Sequence, residues 1–76
     1  MEKKEYRFTL VIEPCEEGGF FAYCPALPGC HVEGETYEET VTEMRRSIDA
    51  FLEDYKAEGQ AIPDEEFTVT SLKVAV

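Results

Sequence analysis

Cys24, Cys30 and His31 flank a five-residue loop, Pro25-Ala26-Leu27-Pro28-Gly29, and are the side chains best suited by type to hold a metal. A structural zinc site needs close ligand pairs and four donors closing a tetrahedron, and this spacing supplies neither. Adjacent Cys30 and His31 on a strand would also point to opposite faces, so buried thiols and a strand histidine are the expectation. Cysteine catalysis needs an imidazole within hydrogen-bond reach, held by a third group, and His31 is the one histidine of the chain. Cys15 stands beside Glu13, Glu16 and Glu17, whose charges oppose a thiolate. The carboxylates of a two-metal hydrolase converge on one site. Here Glu38, Glu39, Glu43, Asp49 and Glu53 fall largely on the outer face of one helix, and the acids at 16–17 and 64–66 lie in turns. No phosphate-binding glycine loop, Ser-His-Asp set or basic stripe is present. No catalytic residue, metal or cofactor is expected, which leaves a metal-dependent nuclease as the weakest reading and recognition of a basic partner as the stronger use of so many acids.

The elements that carry these residues follow from periodicity. Tyr6, Phe8, Leu10 and Ile12 alternate with Arg7, Thr9, Val11 and Glu13, the period-two pattern of a half-buried strand. Pro14 and Glu16-Glu17-Gly18-Gly19 end it in a hairpin turn. A second strand, Phe20 to Cys24, puts Phe21 and Tyr23 on one face and Phe20, Ala22 and Cys24 on the other, without showing which face is core. The prolines and Gly29 then force a fixed-shape loop, after which Cys30-His31-Val32-Glu33 resumes an extended pattern ended by Gly34. Thr36 followed by Glu39 fits a capping box. Val41, Met44, Ile48, Phe51, Leu52 and Tyr55 recur at helical steps opposite a polar face, and Gly59 is placed to cap the far end. Pro63 bars continuation, and a last strand is predicted from Phe67, with Val69 on one parity and Leu72, Val74 and Val76 on the other. The predicted fold is α+β: an antiparallel sheet in βββαβ order with one long helix on one face, residues 1–76 forming a single domain.

Composition bounds the partners. The chain has 76 residues, 17 acidic and 7 basic, for a net charge of −10, with 43% hydrophobic residues. That is a foldable globular composition rather than an acidic disordered tail. The field repels phosphate backbones, so no direct nucleic-acid binding is expected, and basic proteins are favoured as partners. No apolar run reaches the roughly 18 residues of a membrane span, and the start of the chain is not a signal peptide. Three cysteines without a secretory signal point to reduced thiols and a cytoplasmic protein. So small a core, with apolar residues on the sheet face that one helix leaves bare, predicts a homo-oligomer, a dimer or tetramer.

Three ordered segments resemble one known family. They are Gly19-Phe20-Phe21-Ala22-Tyr23-Cys24-Pro25-Ala26-Leu27-Pro28-Gly29-Cys30, then Gly34-Glu35-Thr36-Tyr37-Glu38-Glu39-Thr40, then Ala57-Glu58-Gly59-Gln60-Ala61-Ile62-Pro63. From about Tyr6 to Pro63 the chain is similar to the HicB-like antitoxins, with Thr40 where an alanine is usual and Tyr37 where a smaller residue is common. The resemblance implies a partial RNase H-like fold without a nuclease's catalytic carboxylates. It implies neutralisation of a HicA-type toxin, a small basic ribonuclease that cleaves mRNA, by covering its active-site face. Many members add a C-terminal DNA-binding segment, for which a chain ending at Val76 leaves no room. Partner binding is expected at Tyr23, Pro25, Leu27, Pro28 and Gly29 and at the pairing edge Phe67 and Val69. A solitary oligomeric regulator with no toxin is the alternative.

Overall fold

The computed structural model describes residues 5–63, 65 and 69–76. Three short strands, β1 (Val11–Pro14), β2 (Phe20–Tyr23) and β3 (His31–Gly34), form an antiparallel sheet in the order β1-β2-β3, followed by the helix α1 (Tyr37–Ala57). The alternation that begins at Tyr6 is therefore longer than the strand it predicts. A strand needs a neighbour to close its ladder, and β2 ends at Tyr23, opposite Val11, before Pro25 removes a donor. Among the described residues, 7–10 run on past that point without a ladder partner. The hairpin closes through Cys15 N–H to Gly19 O at 3.0 Å and Gly18 N–H to Cys15 O at 3.1 Å.

The helix starts and stops where its end signals stand. Thr36 is extended, with φ −121° and ψ 163°, and its hydroxyl accepts from Glu39 N–H at 3.1 Å. The Glu39 carboxylate reaches back one residue beyond the cap, accepting from Glu35 N–H at 3.3 Å rather than from Thr36 itself. Glu38 and Glu39 lie in the first turn and Lys56 in the last, the signs the helix dipole favours. At the far end Gly59 N–H donates to Lys56 O at 3.1 Å and Gln60 N–H to Tyr55 O at 2.8 Å, with Gly59 at φ +69°. This paired closure requires the left-handed backbone that glycine adopts without a Cβ clash.

The core lies between α1 and one face of the sheet. Ala22, Cys24, Leu27, Cys30 and Met44 are its buried hydrophobic members, with Ile12, Val32, Ile48, Phe51 and Tyr55 packed against them. Phe20, Ala22 and Cys24 thus belong to the helix-covered side. Thr40 is fully buried, and its hydroxyl donates to the Thr36 carbonyl at 2.7 Å, so its polar atom is satisfied inside the helix. Tyr37 stays half exposed, edge-on to Phe20 with centroids 6.2 Å apart.

The predicted final strand begins at Phe67, which lies outside the described residues. Among the described residues no strand follows α1, and Val69, Leu72, Val74 and Val76 are exposed. Beyond the helix, Glu65 is tied to the start of the chain: Thr9 N–H and the Thr9 hydroxyl both donate to its carboxylate, the latter at 2.8 Å.

Candidate partner-binding surface

With α1 on one side, no element among the described residues covers the other face of the sheet. Strand register builds it in two rows, Glu13–Phe21–Glu33 and Val11–Tyr23–His31. Phe21 is central. Its ring lies 6.0 Å from that of Tyr23, tilted 38°, and 5.8 Å from that of His31, tilted 35°. Glu13 and Glu33 flank it on the neighbouring strands, both exposed. Aromatic faces beside carboxylates form a site for guanidinium or ammonium groups, since ring and carboxylate attract the same cation.

An acidic groove of about 550 Å³ adjoins this face at the end of β3, lined by Glu33, Glu35, Glu38, Glu39 and Glu43 with Gly34 and Thr42. The capping box puts two of these acids on the first helical turn, so the signals that start α1 also build the groove. Glu43 pairs with Arg46 at 3.0 Å on the exposed helix surface, a contact worth little in water. Among the described residues no three histidine, cysteine or acidic side chains come together to hold a metal ion.

The structure scatters the residues singled out in the sequence. Tyr23 stands on the bare face, 36% exposed. Pro25, Pro28 and Gly29 are exposed on the loop, but Leu27 points inward and is fully buried, so it supports the loop and offers a partner nothing. The loop is knit by Cys24 N–H to Cys30 O at 3.0 Å, Leu27 N–H to Cys24 O at 3.1 Å and Cys30 N–H to Leu27 O at 3.0 Å, and this closure drives Leu27 into the core. Val69 is exposed and distant in sequence from the face, and Phe67 lies outside the described residues. Sequence reasoning missed Phe21, His31, Glu13 and Glu33 as one group. The shared parity of Phe21 and Tyr23 was the available signal, but cross-strand register was needed to join it to the others.

Cys15, Cys24 and Cys30 are free thiols. Cys30 and His31 do point to opposite faces, Cys30 into the core with its Sγ 3.4 Å from Ser47 Oγ, His31 to the surface. Burial pushes the Cys24 thiol up, only partly offset by the amides of Ala26 and Leu27. The neutral thiol is the form the fold accommodates, so its contribution to stability is intact below the ordinary thiol pKa and is lost as pH rises above it. Iodoacetamide on the folded protein near neutral pH is expected to modify Cys15 first, as peptide mass spectrometry would show. Cys24 reacting as fast as Cys15 would contradict this burial.

Among the described residues no helix is long and apolar enough to cross a membrane. The family model described as a HicB-like antitoxin of bacterial toxin-antitoxin systems matches residues 8–74. A UPF0150 protein of Synechocystis sp. is 36% identical over 74 residues, covering 97% of this chain and 94% of its own length. A second UPF0150 protein of the same organism is 42% identical over 67 residues, covering 88% of this chain and 92% of its own. Antitoxin HicB 1 of Photorhabdus laumondii is 32% identical over 60 residues, which span 79% of this chain and 39% of that protein. A match that runs over residues 8–74, through the sheet and helix into the exposed last segment, shows that this chain belongs to the HicB-like antitoxin family.

Proposed function

We propose that this protein is an antitoxin that binds and neutralises a small basic HicA-type RNA-cleaving toxin, without catalysis of its own, in the cytoplasm. The observation that carries the reading is the bare sheet face, where Phe21, Tyr23 and His31 lie between Glu13 and Glu33 and run into the acidic groove at Glu35 and Glu38. Such a surface suits arginine and lysine side chains, which a toxin that grips RNA must display. Carboxylates occupying those cations compete directly with the RNA backbone. With a net charge of −10, the protein attracts the toxin over a range that salt shortens to about 8 Å at physiological strength. Self-association into a dimer or tetramer belongs to the same reading.

The test is RNA cleavage by a HicA-type toxin encoded beside this protein, titrated with the antitoxin. Cleavage should stop near equimolar ratio, and Tyr23→Ala should weaken the complex about 30-fold, as loss of a central aromatic anchor does. Cleavage unchanged at stoichiometric excess would overturn the antitoxin reading. Full affinity in both Tyr23→Ala and Glu33→Lys would move the interface off this face.

A further inference from the structure

β3 stands at the edge of the sheet, with β2 as its one strand neighbour among the described residues. Cys24 N–H donates to Cys30 O at 3.0 Å, one step beyond the Tyr23–His31 pair. Bonded and non-bonded pairs alternate along an antiparallel ladder, so Val32 and Gly34 turn their backbone groups toward β2, and His31 and Glu33 turn theirs away. The other ladder agrees: the Cys15 N–H bond to Gly19 O puts the backbone groups of Phe21 and Tyr23 on the β1 side, leaving those of Phe20, Ala22 and Cys24 for β3. The outward row ends at Glu35, whose N–H is held by the Glu39 carboxylate at 3.3 Å. Space lies along this edge. The acidic groove of about 550 Å³ and a second groove of about 530 Å³, lined by Cys15, Glu17 and Phe20, share Glu33, Gly34 and Glu35, so the end of β3 borders open space toward α1 and toward the hairpin turn alike. His31 and Glu33 are both exposed. The tie from Glu65 is made at Thr9, on the run into β1, with β2 between that run and β3.

We infer that the toxin adds an extended segment to the outer edge of β3 as a fourth strand, with lysine or arginine at the positions that face the acidic groove. This rests on the antitoxin reading and names how the partner is held. The N–H and C=O groups of His31 and Glu33 offer four main-chain bonds, and strand alternation divides the partner's side chains between two surfaces. Those opposite Val32 and Gly34 lie on the side of α1, since Val32 packs on the core, and meet Glu38, Glu39 and Glu43. The one opposite Glu33 lies beside its carboxylate, on the face of Phe21 and Tyr23. Charge decides the occupant. The two grooves are lined by six glutamates, at 17, 33, 35, 38, 39 and 43, and by no lysine or arginine. A strand with cations at alternate positions is therefore selected over one with an apolar row, such as Leu72, Val74 and Val76 of a second copy.

Amide hydrogen exchange followed by NMR on the full chain, free and saturated with the toxin, tests this. The His31 and Glu33 amides should exchange fast in the free protein and about 10-fold or more slowly in the complex. His31→Pro removes the outward donor, a change that edge strands accept, and His31→Ala removes the imidazole but keeps the donor. The proline variant should bind the toxin about 10-fold more weakly than the alanine variant, because a carbonyl of the partner is left unsatisfied. Should circular dichroism show that the proline variant does not fold, the exchange measurement decides alone. A toxin that does not bind overturns the antitoxin reading along with this one. A bound toxin that leaves both amides fast, or that binds the two folded variants equally, leaves the antitoxin reading standing and overturns strand addition. Amides already slow before toxin is added would give the edge to another strand and overturn it as well.

Discussion

Replacing Gly34 with alanine should leave most of this protein unfolded at moderate denaturant. An added Cβ would collide with Thr40 Oγ1 and lie 2.9 Å from Thr40 N and 3.0 Å from Thr40 Cα. A rotamer change moves the hydroxyl but not the backbone atoms behind it. Thr40 is also buried and held to the Thr36 carbonyl at 2.7 Å, so relief requires lifting the first turn of α1 off β3. Overpacking of this kind costs about 1–3 kcal/mol and more where backbone must shift. A chain of this length has on the order of 4–11 kcal/mol in all. Urea unfolding should show a much lower midpoint at unchanged slope. Adding Thr40→Ala should recover only part of the loss, because it removes the hydroxyl and leaves the nitrogen and Cα. A midpoint equal to wild type in the single variant would mean that β3 and α1 are not packed as described. The same turn carries Glu38 and Glu39, so a shifted helix start also deforms the acidic groove and with it toxin binding.

Leu27→Ala should be the second large loss. The side chain is fully buried beside Cys24, Cys30 and Met44. Its loop is fixed at both ends by the three backbone bonds between Cys24, Leu27 and Cys30, so it cannot sink into the space left behind. The cost then falls in the middle or upper part of the ~2–5 kcal/mol range for such truncations. In a domain this small that lowers the melting temperature by on the order of 15 °C. Leu27→Met keeps the volume and should cost less than about 1.5 kcal/mol. Pro25→Ala, exposed on the same loop, should change stability by no more than about 0.5 kcal/mol. Scanning calorimetry of the three variants checks the order. Equal melting points for Leu27→Ala and Pro25→Ala would show that the loop is a surface feature throughout. This contrast separates two roles within one run of residues: Leu27 holds the loop, and Pro25 and Pro28 present it.

The helix was legible in full from the chain because what makes it is local. Thr36 and Glu39 stand three residues apart, the apolar stripe repeats within one element, and Gly59 closes the end with bonds to Tyr55 and Lys56 a few residues back. The hairpin stop at Pro14 and the opposite directions of Cys30 and His31 were legible for the same reason. Charge and motif order also pointed to the family without any coordinates. Tertiary structure decided the rest, wherever the answer depended on a neighbour far along the chain. The alternation from Tyr6 to Ile12 marks a strand in composition, but its pairing with β2 begins only at Val11 because β2 turns away after Tyr23. Parity grouped Phe21 with Tyr23, and only the position of α1 showed that their face is the bare one. Leu27 could have been a surface anchor or a core plug until the closure of its loop turned it inward. Periodicity is a property of the single chain, whereas pairing and burial are properties of what lies across from it, and that is why the two kinds of knowledge divide at these residues.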